Sequence, residues 1–160
     1  MRYNLVIGGG LTALVLFAAL VAPFVAPADG GGVNLAAQLL PPGHGHLLGC
    51  DESGGDLLGR IFHGARVALL VGVLTVLASA VAGTAVGAFS GYLGGAADEA
   101  LMRVVDVLMS FPGVLLAIGI IAVTQSPSYV SVVLALSATG WVGYARLARA
   151  QALSLRSREF

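Results

Sequence analysis

The sequence predicts an all-α fold, a polytopic transmembrane helix bundle of about four spans, on three observations: an apolar excess, long uncharged runs, and breaks that cut those runs into bilayer-sized lengths. Of 160 residues, 58% are hydrophobic and only 10% are charged. That balance lies outside the soluble range and suits a lipid bilayer as solvent and first partner. Eight arginines and eight acids cancel, so no net basic field points to nucleic acid.

Arg2 precedes an uncharged run from Tyr3 to Ala28, and its apolar core from Leu5 to Val25 has the roughly 20 residues a spanning helix needs. A signal peptide is the rival reading, since Ala26-Pro27-Ala28 mimics a cleavage site, but the core exceeds the usual apolar region of about 7 to 15 residues. Residues 1–26 are thus read as an N-terminal transmembrane helix. Residues 27–64 change character, with Gly30-Gly31-Gly32, Pro41-Pro42, three histidines and the acids Asp29, Asp51, Glu52 and Asp56. This is an extracytoplasmic segment, in which Leu35 to Leu40 and Leu57 to Phe62 have the spacing of two short interfacial helices.

Residues 65–160 form a core of three spans. No charge appears from Val67 to Ala97, and Gly91-Tyr92-Leu93-Gly94-Gly95 closes this second span with turn chemistry. The uncharged stretch from Val107 to Ala145 would be about 58 Å long as one helix, nearly twice a hydrocarbon core. It must fold back, and Gln125-Ser126-Pro127-Ser128 marks where. A third span near Met102 to Val123 and a fourth near Tyr129 to Leu147 result. Arg2, Arg103, Arg146, Arg149, Arg156 and Arg158 then lie on one side, against Arg60 and Arg66 on the other. The positive-inside rule puts both termini in the cytoplasm of a multi-pass cell-membrane protein.

Gly83, Gly87 and Gly91 recur every fourth residue and form a helix-packing face that admits a neighbouring backbone. Asp98 and Glu99 sit where a helix starts and can cap it, while Glu99, Arg103 and Asp106 can pair along one face. Pro112 should kink the third span. Together these residues make a charge cluster and kink at the cytoplasmic helix end.

Several chemistries find no support. Lysine is absent, which removes a phosphate-binding GxxxxGK loop and any Schiff-base lysine. The lone Cys50 cannot form an internal disulfide. His44, His46, Asp51, Glu52, Asp56 and His63 lack the spacing of a zinc motif, so no metal, cofactor or catalytic residue is assigned. No GxSxG elbow is present either.

The run His46-Leu47-Leu48-Gly49-Cys50-Asp51-Glu52-Ser53-Gly54-Gly55-Asp56, followed by Arg60 and Gly64-Ala65-Arg66, resembles the outer-segment motif of the dipeptide, oligopeptide and nickel class of ABC importer permeases. The likeness continues through Gly91-Tyr92, Asp98-Glu99, Met102-Arg103, Asp106, Phe111-Pro112, Gly140-Trp141 and Gly143-Tyr144-Ala145-Arg146. Cys50 stands where that family usually has threonine and Gly55 where it usually has arginine.

The resemblance implies the N-terminal part of a six-span type I importer permease. Its core would be incomplete at the C-terminus, with Trp141, Gly143, Tyr144 and Arg146 leading toward a coupling loop and Arg156 to Phe160 stopping short of its EAA motif. It further implies a second permease subunit, two ATP-binding subunits and an extracytoplasmic solute-binding protein. This chain would supply part of the pathway for short peptides or related solutes, without breaking bonds. A small intramembrane enzyme and a structural membrane scaffold are the alternatives.

Overall fold

The computed structural model describes residues 2–25, 33–43, 45–125 and 128–156. The triglycine at 30–32, His44, Ser126 and Pro127 of the expected turn, and the terminal 157–160 lie outside the described residues. Among those described the chain is helical, with α1 (Arg2–Val25), a short 3-10 turn (Leu35–Ala37), α2 (Leu57–Leu93), α3 (Gly95–Ser110), α4 (Gly113–Thr124) and α5 (Tyr129–Arg156). The chain divides into two compact units, Met1–Leu70 and Val71–Phe160.

Among the described residues three helices are long and apolar enough to cross a bilayer, through Tyr3–Phe24, Leu57–Leu93 and Tyr129–Arg156. The bent pair α3 and α4 brings the number to four if it counts as one span. Only 6% of the apolar window of α1 is buried, and its leucines, valines and phenylalanines from Leu5 to Leu20, with Phe24, face outward. In water that surface would be untenable; in lipid it is solvated.

In the first unit, the expected second interfacial helix does not exist as a separate element. Asp56 Oδ2 accepts the Gly59 N–H at 3.0 Å, which caps a helix that starts at Leu57 and runs without interruption to Leu93. At 37 residues, α2 is about 55 Å long, well beyond the roughly 30 Å of a hydrocarbon core. It is thus longer than one crossing needs, and the charged Arg60 and Arg66 fall in its first turns.

In the second unit, α2 ends at Leu93 and α3 starts at Gly95. The single-residue break between them uses left-handed backbone, which Gly94 and Gly95 supply with φ of 63° and 60°. The expected third span differs more. Rather than one kinked helix from Met102 to Val123, α3 and α4 are separate helices bent 89° apart. The cause is local: Pro112 forces Phe111 into extended backbone, φ −94° and ψ 139°. The Ser110 hydroxyl then donates to the Val107 carbonyl at 2.6 Å, closing the end of α3. The Pro112 carbonyl accepts the Leu115 N–H at 2.9 Å, opening α4. Both halves pack against α5.

Helix α5 starts where the Ser128 hydroxyl accepts the Ser131 N–H at 3.1 Å, an N-cap. It runs nine residues past the expected end at Leu147. Val105 of α3 and Val142 and Ala145 of α5 are the buried centre, surrounded by Met102, Leu108 and Trp141.

Candidate functional site

The outer-segment motif folds as a small hydrogen-bonded loop. Asp51 Oδ1 accepts the N–H groups of Ser53 and Gly55, each at 2.8 Å, while Oδ2 faces the Arg60 guanidinium. The Gly55 amide leads in holding the Asp51 carboxyl below its usual 3.8; burial opposes, and Ser53 and Arg60 reinforce. Asp56 has two tasks, capping α2 and bonding His46 Nδ1 at 3.3 Å. Gly54 has a φ of 77°, and a Cβ there would strike the Asn34 carbonyl. A Cβ on Gly49, at φ 79°, would likewise strike the Leu40 carbonyl. Both glycines are thus required by backbone contact as well as by conformation.

Cys50 is buried beside this loop, and burial pushes its thiol pKa up. Gly64 and Arg66 lie on an open face of α2, where a Cβ at Gly64 would meet nothing within 4 Å. Among the described residues no three His, Cys, Asp or Glu side chains converge on a common point.

The second cluster joins three helices. Asp98, in the first turn of α3, is buried, and its carboxylate does not cap that helix; Gly94 is the N-cap. Instead Arg149 of α5 grips it in a fork, Nε to Oδ1 and Nη2 to Oδ2, both at 2.6 Å. The Ser90 hydroxyl, from the last turn of α2, donates to Oδ1 as well. Two turns along α3, Asp106 pairs with Arg146 of α5. The expected Arg103–Asp106 pair is therefore not made, because α5 offers Asp106 a cation across the helix interface. Arg103 lies 4.0 Å from Glu99 with both side chains exposed. A Cβ on Gly94 would lie 2.6 Å from Arg156 Nη1, so the corner between α2 and α3 is covered by a third arginine of α5.

The glycine stripe lies under the same helix. A Cβ at Gly83 would strike the Trp141 carbonyl and lie 2.6 Å from Tyr144 Cβ. One at Gly87 would meet the Ala145 backbone, and one at Gly91 would lie 2.7 Å from Ala152 Cβ. The neighbouring backbone is thus the chain's own α5, and Gly83, Gly87 and Gly91 are not free to seat another protein. Trp141 donates to the Ala138 carbonyl at 3.0 Å, and Gly143 faces open space. Arg149 and Ser90 carry the cluster without having been singled out in the sequence. Arg149 lies 51 residues from Asp98, and only its three-residue spacing from Arg146, at a span end, hinted at it.

Three apolar helices, with a bent helix pair that can count as a fourth span, define a polytopic helical membrane protein among the described residues. Residues 83–160 match the family described as binding-protein-dependent transport system inner membrane component. The dipeptide transport system permease protein DppC of Bacillus subtilis is 37% identical over 160 residues, covering 99% of this chain and 50% of the relative. The probable D,D-dipeptide transport system permease protein DdpC of Escherichia coli is 36% identical over 143 residues, 89% of this chain and 48% of the relative. The oligopeptide transport system permease protein OppC of Bacillus subtilis is 32% identical over 147 residues, 92% and 48%. The chain spans about half the length of the curated relatives it matches.

Proposed function

We propose that this chain is part of a permease subunit of an ATP-driven importer for dipeptides, oligopeptides or related solutes. The observation that carries this reading is the similarity to peptide permeases over nearly the whole chain. On that reading ATP is bound by a partner; the sequence has no lysine and so offers no GxxxxGK loop of its own. In this reading a second permease subunit completes the pathway, two ATP-binding subunits drive it, and a solute-binding protein delivers substrate to the outer segment around Asp51 and Asp56. The spans then alternate between outward and inward access, and the chain's own task is passage and gating. Both termini face the cytoplasm, in keeping with the arginine distribution.

The test is assembly and uptake. The complete subunit, expressed with its neighbouring transport proteins, is expected to co-purify with an ATP-binding subunit and to accumulate labelled dipeptide in liposomes when ATP and binding protein are supplied. A subunit that associates with no ATP-binding protein overturns the reading. The scaffold alternative has lost its proposed surface, because the glycine stripe is occupied by α5.

A further inference from the structure

We propose that Asp98 and Arg149 are positioning residues of the transport cycle, a clasp that fixes the register of α5 on the corner between α2 and α3. The inference rests on the permease reading and adds a role for these two residues.

Three observations carry it. Arg149 engages Asp98 through both nitrogens of its fork, and Ser90 of α2 donates to the same carboxylate, so one buried group ties three helices together. The pairs Asp98–Arg149 and Asp106–Arg146 run in opposite directions along the two helices. Eight residues separate the acids, about 12 Å along α3, and three separate the arginines, about 4.5 Å along α5. Two points on each helix determine both axial position and rotation. A shift of α5 by one turn, about 5.4 Å, would move both arginines in the same sense relative to acids held about 12 Å apart, so the two pairs could not both be kept.

Stability alone does not call for this arrangement, since apolar residues of similar volume hold buried helix contacts as well as an ion pair does. A fork of fixed geometry does what apolar packing cannot: it admits one register and penalises the neighbouring ones. The same α5 contacts α4 beyond the break at Pro112. Displacement at the Arg149 end of α5 is thereby passed to α3 at Asp98 and, through α5, to α4.

The test uses the complete subunit assembled with its ATP-binding partners in liposomes, reading peptide uptake and ATP hydrolysis in parallel. Asp98→Asn, which keeps the size and the Ser90 contact, is expected to assemble and hydrolyse ATP like the wild type while uptake per ATP falls about tenfold. Arg149→Lys, which keeps the charge and loses the fork, should fall less. The exchange of both residues, Asp98→Arg with Arg149→Asp, should recover most of the uptake. Unchanged uptake per ATP in Asp98→Asn, loss of uptake only in step with loss of assembly, or no recovery on exchange overturns the clasp and leaves the permease reading standing. A wild-type assembly with neither uptake nor partner binding overturns both.

Discussion

Asp51 shows how much one carboxylate can organise when its acceptors point at backbone. Two N–H donors and Arg60 converge on it, and all three favour the ionised form. Its folded-state pKa therefore lies below that of the unfolded chain. A depressed acid contributes stability above its unfolded pKa and loses it as pH falls through the folded value. The melting temperature of wild type in detergent should accordingly exceed that of Asp51→Asn by a constant margin between about pH 7 and 5, and the margin should close below about pH 4. A margin independent of pH would show that Asp51 acts through shape alone. At this scale the motif was legible in the sequence, because Gly49, Asp51, Gly54 and Asp56 form a recognisable string. The donors were not, since Gly55 and Ser53 contribute amides rather than side chains, and an amide's direction follows only from the folded loop.

Between elements, the α2–α5 contact is made by removing side chains. Gly87 lies against the backbone of Ala145, and a Cβ there would sit 2.8 Å from the carbonyl carbon and closer still to its oxygen. Backbone cannot swing away as a side-chain tip can, so the helices must separate. Gly87→Ala should cost about 1 to 3 kcal/mol, read as a fall in melting temperature in detergent. Gly72→Ala on the same helix is the control: nothing lies within 4 Å of a Cβ there, and the substitution should be neutral or gain up to about 1 kcal/mol of helix propensity. Equal behaviour of the two variants would exclude the stripe as a packing face. The four-residue period predicted a close backbone but could not name it, because a stripe on one helix carries no information about which partner fills it. For the same reason Pro112 announced a distortion without its size. The 89° bend needs both the pre-proline restraint on Phe111 and the docking of each half on α5. The cap at Asp56, by contrast, is legible in the sequence as an acid directly before an apolar run; apolar spacing by itself marks Leu57 to Phe62 and does not show that α2 continues to Leu93.

For the whole molecule, hydropathy gave the number of apolar runs but left open whether α3 and α4 cross the bilayer once or turn back. The ion pairs decide between these. Asp98 follows the corner at Gly94–Gly95 directly, and Arg149 lies near the far end of α5; their side chains are bonded, so the corner and the end of α5 lie at the same membrane face. Helix α5 is long enough to cross. With α5 crossing, the chain returns to the face it left when α3 and α4 together cross once in the opposite sense, the arrangement that counts the bent pair as one span and brings the candidate spans to four. On the orientation proposed above, with the arginine-rich face in the cytoplasm, Gln125 lies outside and Arg156 inside. After replacement of the native Cys50 by serine, Gln125→Cys should react with a membrane-impermeant maleimide in intact cells, whereas Arg156→Cys should react only once the membrane is opened. Labelling of both from the same side would mean that α3 and α4 re-enter, and a re-entrant pair cannot bring Asp98 to Arg149.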